Sequence, residues 1–128
     1  MIKLLKFVFY ISVLLLIIIS LYPGSLIGLL LYGDLSLQPN LVKNPFGTTI
    51  NHFLAYFYIS LLGFSLYLEK EKLNLMFRGL IFLSVILEVL QLVVPIRTFQ
   101  FYDLIGNFLG VLVAYFLVKV YLHLKSHE

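Results

Sequence analysis

The chain has 128 residues, 62% of them hydrophobic and only 12% charged, with a mean hydropathy of +1.05 and a formal net charge of +3. Soluble globular domains use about 45–50% apolar residues, so a water-soluble fold is excluded and an integral membrane protein is expected. With no cysteine, disulfides, thiolate chemistry and sulfur-ligated metals are excluded too, and the basic residues, scattered at the ends of apolar runs, read as topology signals and not as a nucleic-acid surface.

About 20 mainly apolar residues are needed to cross the bilayer, and four stretches meet that length. In chain order they run from Leu4 to Tyr22, Ile50 to Leu68, Leu75 to Val94 and Phe101 to Leu122, which predicts a single all-α membrane domain with four transmembrane helices. Lys3 and Lys6 ahead of the first run also suit a signal peptide, but no small-residue cleavage pattern follows, so the run reads as an uncleaved span.

Three connections separate the spans. The first, 23–49, holds an apolar piece, Leu26 to Tyr32, between Pro23-Gly24 and Gly33-Asp34, and is expected to lie in the interface or dip back over the bundle. The second is read as a tight Glu69-Lys70-Glu71-Lys72 turn, the third as a short link from Pro95 to Gln100. Cytoplasmic flanks keep the excess of Lys and Arg. With both termini inside, those flanks hold Lys3, Lys6, Lys70, Lys72, Arg78, Lys119 and Lys125, against Lys43 and Arg97 outside, so an N-in/C-in arrangement is expected.

That arrangement puts His52, Glu88, Gln91, Arg97, Asp103 and Asn107 all near the outer ends of their spans. A charge in hydrocarbon costs roughly 2.5–3.5 kcal/mol on insertion scales, so such groups face one another, water or a ligand. Helical spacing predicts that they share faces. On the fourth span Asp103, Gly106, Asn107, Gly110 and Ala114 form one stripe, whose small residues let another helix approach closely. On the third span Ser84, Glu88, Gln91 and Pro95 form another, with Glu88 about 10 Å below Pro95 as the deepest charge. His52, Ala55, Tyr56, Ile59 and Gly63 line one side of the second.

Read together, Asn51-His52-Phe53-Leu54-Ala55-Tyr56-Phe57, Glu88-x-x-Gln91-x-x-x-Pro95-x-Arg97 and Asp103-x-x-x-Asn107-x-x-Gly110 resemble the pattern of VanZ-like membrane proteins over roughly His52 to Tyr115. The resemblance implies a small multi-pass protein of the bacterial cytoplasmic membrane, in a family whose namesake is associated with low-level resistance to the glycopeptide teicoplanin. It implies no biochemical activity. The family commonly has an Asp-Lys pair four and three residues before the histidine, where this chain has Thr48 and Thr49.

Each polar residue has a structural reading, and several have a chemical one beside it. His52 is a hydrogen-bonding anchor or an acid/base group. One histidine cannot hold a metal, and His123 and His127 are expected at the opposite end, so no metal and no cofactor are expected. Glu88 is an acid/base group, a relay carboxyl or an acceptor that pins Arg97. Arg97 either snorkels to the headgroups or grips a phosphate or carboxylate in bidentate fashion. Asp103 caps its helix, and Asn107 bonds a neighbouring span.

Three functions follow as expectations. The first is an outward-facing pocket that engages a cell-envelope component, such as a lipid-linked precursor or peptide terminus, or a glycopeptide. The second is an enzyme using His52 with Glu88 or Asp103 on lipid-linked substrates, although no serine or cysteine stands in a nucleophile motif. The third is a scaffold subunit, in a homo-oligomer or with another membrane protein, held through the glycine stripe. Membrane lipids are the expected surroundings in every case.

Overall fold

The structure, a computed structural model, describes residues 2–127. Its long helices are α1 (Ile2–Leu21), α3 (Thr49–Leu66), α4 (Lys70–Leu90) and α5 (Phe101–Lys125), and a short α2 (Leu26–Tyr32) lies in the connection after α1. Four helices, counting α4 with the 3-10 turn Gln91–Val93 that continues it, are long and apolar enough to span a membrane. No strand occurs among the described residues. The all-α, four-span expectation therefore holds as a count of elements.

The second connection departs from expectation. Glu69 to Lys72 is not a turn; α4 already begins at Lys70, and the chain reverses over Tyr67 to Glu69. Glu69 is extended (φ −64°, ψ 134°), and Glu71 falls in the first helical turn, where a carboxylate favours the positive end of the helix dipole. Lys72 reaches back to Glu69 at 2.8 Å. Hydropathy marks where a helix leaves hydrocarbon, and this helix continues past that point.

Lipid tails are as apolar as leucine, so helices in a membrane associate through close contact and hydrogen bonds. The most extensive pair is α3 with α5. A Cβ on Gly106 would stand 2.5 Å from the Thr49 carbonyl oxygen, and one on Gly110 would stand 2.5 Å from that of Phe53. The two backbones touch where side chains are missing, and Val111 and Ala114 continue the seam fully buried. At the other end, the Tyr115 hydroxyl donates to Asn74 Oδ1 at 2.6 Å and ties α5 to α4. Gly63 gives the Phe9 ring room to pack, which docks α1 on α3. Phe9 is the only buried residue of α1.

The long connection is built, not loose. Ser25 accepts the Gly28 N–H at 2.9 Å as the N-cap of α2, and Gly33 ends that helix at φ +71°, a left-handed conformation natural to glycine. The Ser25 N–H donates to the Leu35 carbonyl at 2.7 Å, closing the segment on itself. Asn51 then pins the following strand of loop to α3: its Oδ1 accepts from Leu41 N at 3.0 Å, and its Nδ2 donates to the Pro39 carbonyl at 2.9 Å. Residues 23–48 thus cover one end of the bundle.

Candidate functional site

The end beneath that cover carries all six singled-out polar residues. The contact between α3 and α5 places the first turns of these two helices side by side, with Thr48, Thr49 and His52 facing Asp103 and Asn107. Asp103, 3% exposed, accepts from Thr48 Oγ1 at 3.2 and 3.1 Å and from Thr49 Oγ1 at 3.1 Å. His52 Nε2 lies 3.4 Å from Asp103 Oδ2, and its Nδ1 lies 3.0 Å from Asn107 Oδ1. Both ring nitrogens therefore face the α5 wall. An imidazolium satisfies both contacts as they stand; a neutral ring does so if the Asn107 amide is turned to donate to Nδ1 while Nε2–H donates to Asp103.

Glu88, Gln91 and Arg97 come from the end of α4 and the link after it. Glu88 is 1% exposed, the most buried charged residue among the described residues. Its Oε1 accepts the Gln100 backbone N–H at 3.1 Å, a bond that ties the end of α4 to the start of α5. His52, Asp103 and Arg97 lie within electrostatic range of Glu88, but no ion pair joins Glu88 to Arg97 among the described residues. Gln91 opens the 3-10 turn and is 5% exposed. Pro95 does not extend the Ser84-Glu88-Gln91 stripe: the α-helix ends at Leu90, the tighter turn changes the angular step, and Pro95 is exposed.

Arg97 has a role that the sequence did not offer. Its Nη2 donates to the Ile19 carbonyl at 2.7 Å and its Nε to the Tyr22 carbonyl at 3.3 Å, so it caps the end of α1, where helix carbonyls lack partners. Ile96, just before it, has φ +66°, a conformation that β-branched residues rarely adopt and one that redirects the chain toward α1. Burial holds the guanidinium below its ordinary pKa, with Glu88 acting in the opposite direction.

These elements enclose a cavity of about 170 Å³ between the end of α1, α2, the loop and α3. His52, Gln91, Arg97 and Tyr56 contribute to its polar side, and Leu16, Ile19, Leu26 and Ile27 to its apolar side. Asp103 and Asn107 stand behind His52, and Glu88 does not line the cavity. Gln91 makes no side-chain hydrogen bond among the described residues, and the buried hydroxyls of Tyr56 and Ser60 have no partner. A wider depression of about 620 Å³, on the other side of Thr48 and Thr49, has no charged lining residue.

The parts played by four residues escaped the sequence reading. Thr48 and Thr49 are the donors that hold Asp103, and hydroxyls before a histidine carry no distinguishing pattern. Asn51 fastens the loop, and its place inside an apolar span was the available signal. Tyr56 was seen as part of the His52 face, but not as a buried hydroxyl without a partner. Compared with protein-family models, curated proteins and solved structures, the chain matches none.

Proposed function

We propose that this chain is a VanZ-like protein of the bacterial cytoplasmic membrane, with both termini cytoplasmic and its cavity opening to the outer face, where it binds the polar end of a cell-envelope component. The carrying observation is that the scarce polar groups of an apolar chain gather at one end, where His52, Gln91 and Arg97 line one cavity and the Gln91 side chain makes no hydrogen bond among the described residues. The Lys/Arg excess at the opposite helix ends supports the orientation.

Size narrows the ligand. Sites that enclose drug-sized molecules run to roughly 300–1,000 Å³, and about 170 Å³ suits a headgroup or a peptide terminus. A whole glycopeptide is too large, so any resistance phenotype would follow from what the protein does to an envelope component. Binding is favoured over catalysis by His52 because an imidazole base must present a nitrogen to its substrate, and both nitrogens of His52 are directed at Asp103 and Asn107. The glycine stripe does not support a scaffold role, because α3 of the same chain already occupies it.

The test replaces Arg97 and Glu88, singly, with alanine in a host scored for teicoplanin susceptibility and envelope integrity. Loss of the phenotype with normal accumulation of the protein is expected. Variants that accumulate and behave as the parent would refute the pocket.

A further inference from the structure

We infer that the cavity receives the phosphate head of a membrane lipid, with the lipid's apolar chain leaving between α1 and α2. This rests on the pocket reading above and adds the chemical class of the ligand. The first support is charge. Among the described residues, Arg97 is the one formally charged residue lining the cavity, His52 is the one neighbour there able to gain a positive charge, and no carboxylate lines it. A guanidinium has five N–H groups; two of those of Arg97 are committed to Ile19 and Tyr22, which fixes the fork and leaves others for an oxyanion.

The second support is the side chain of Gln91. It is 5% exposed and unpartnered among the described residues, and it lines the cavity. Its amide opens on the cavity, where its N–H groups suit a phosphate oxygen. The third is the apolar wall. Leu16 and Ile19 of α1 and Leu26 and Ile27 of α2 line the cavity together. With Phe9 as its only buried residue, α1 is the least enclosed of the long helices, so this side meets the bilayer. A volume of about 170 Å³ holds a head and a few carbons, and the remainder of a chain must lie outside.

The test uses the full chain in phosphate-free maltoside micelles that carry phosphatidic acid, oleic acid or diacylglycerol at equal mole fraction, with retained lipid counted by native mass spectrometry. Phosphatidic acid is expected to be retained about tenfold over diacylglycerol, the scale of a hydrogen-bonded charge. Q91L should lower that retention, and the isosteric Q91E, which sets a carboxylate in the wall, should abolish it. Retention unchanged in Q91E, or equal for diacylglycerol, overturns the assignment. Equal retention of oleic acid overturns phosphate in favour of carboxylate, and displacement by millimolar inorganic phosphate overturns the lipid as its source. If phosphatidic acid is not retained while R97A still abolishes the envelope phenotype, the phosphate assignment alone fails; if both results are negative, the pocket reading fails with it.

Discussion

Thr48 and Asp103, 55 residues apart in sequence, are joined by a hydroxyl that reaches both carboxylate oxygens, at 3.2 and 3.1 Å. Thr49 adds a third contact at 3.1 Å, so the first turn of α3 supplies the donors that let a carboxylate sit 3% exposed at the start of α5. A buried acceptor stripped of its donors costs about 1–3 kcal/mol. The double substitution T48V/T49V, which keeps shape and removes both hydroxyls, should lower unfolding stability by that amount, and T48S/T49S should restore it. Chemical unfolding in detergent micelles measures both. Parent-like stability in the valine variant would remove Thr48 and Thr49 from the site.

Much of this end of the molecule was legible in the sequence. Polar residues are so rare in the spans that their placement marks the end at which they meet, and the spacing of Asp103, Gly106, Asn107 and Gly110 identifies the buried face of α5 because a helix repeats every 3.6 residues. What was not legible depends on contacts without a period. The capping of α1 by Arg97 requires knowing that residues 19 and 97 are neighbours, and the cavity roof comes from a loop whose hydrogen bonds, such as Asn51 to Pro39, have no sequence rhythm. The start of α4 was misplaced because charged residues at Lys70 to Lys72 resemble a turn even when they form the first turn of a helix.

Two kinds of glycine should answer differently to the same change. In G110A the new methyl meets the backbone of Phe53 and Phe57, at 2.5 and 2.8 Å, so α3 must move away. Overpacking of this kind costs about 1–3 kcal/mol. Gly79 in α4 has nothing within 4 Å of an added Cβ, and alanine is the better helix former by roughly 0.8–1 kcal/mol. G79A should raise the thermal midpoint and G110A should lower it, as read by thermal unfolding of the purified protein.

Ile96 offers a gain. Its side chain is 66% exposed, so little packing is lost on truncation, while its φ of +66° is natural only to glycine. A left-handed conformation costs an L-residue roughly 1–2 kcal/mol. I96G should leave stability unchanged or raise it by up to about 1 kcal/mol, after the greater freedom of glycine in the unfolded chain is counted. A clear loss, measured by the same unfolding assay, would show that the link does not hold this conformation.

Asp34 provides a pH test in the connection after α1. Hydrogen bonds from the Ser36 hydroxyl and backbone N–H, at 2.7 and 2.8 Å, hold its carboxyl below its ordinary value of 3.8. A depressed carboxyl stabilises the folded loop above its unfolded pKa, and that contribution fades as pH falls through the folded value. S36A should move the Asp34 midpoint up toward 3.8, followed by NMR of the side-chain carboxyl. A midpoint that does not move would mean that the Ser36 hydroxyl bond does not form.

The central claim is that the polar residues and their cavity stand at the outward end of the bundle, and the absence of native cysteine makes single-cysteine labelling a direct test. Q38C, at the cavity mouth, and E71C, in the first turn of α4, would each be treated in intact cells with a membrane-impermeant maleimide, and again after permeabilisation. The expected result is labelling of Q38C in intact cells and of E71C only after permeabilisation. The reverse pattern, or labelling of both in intact cells, would contradict it.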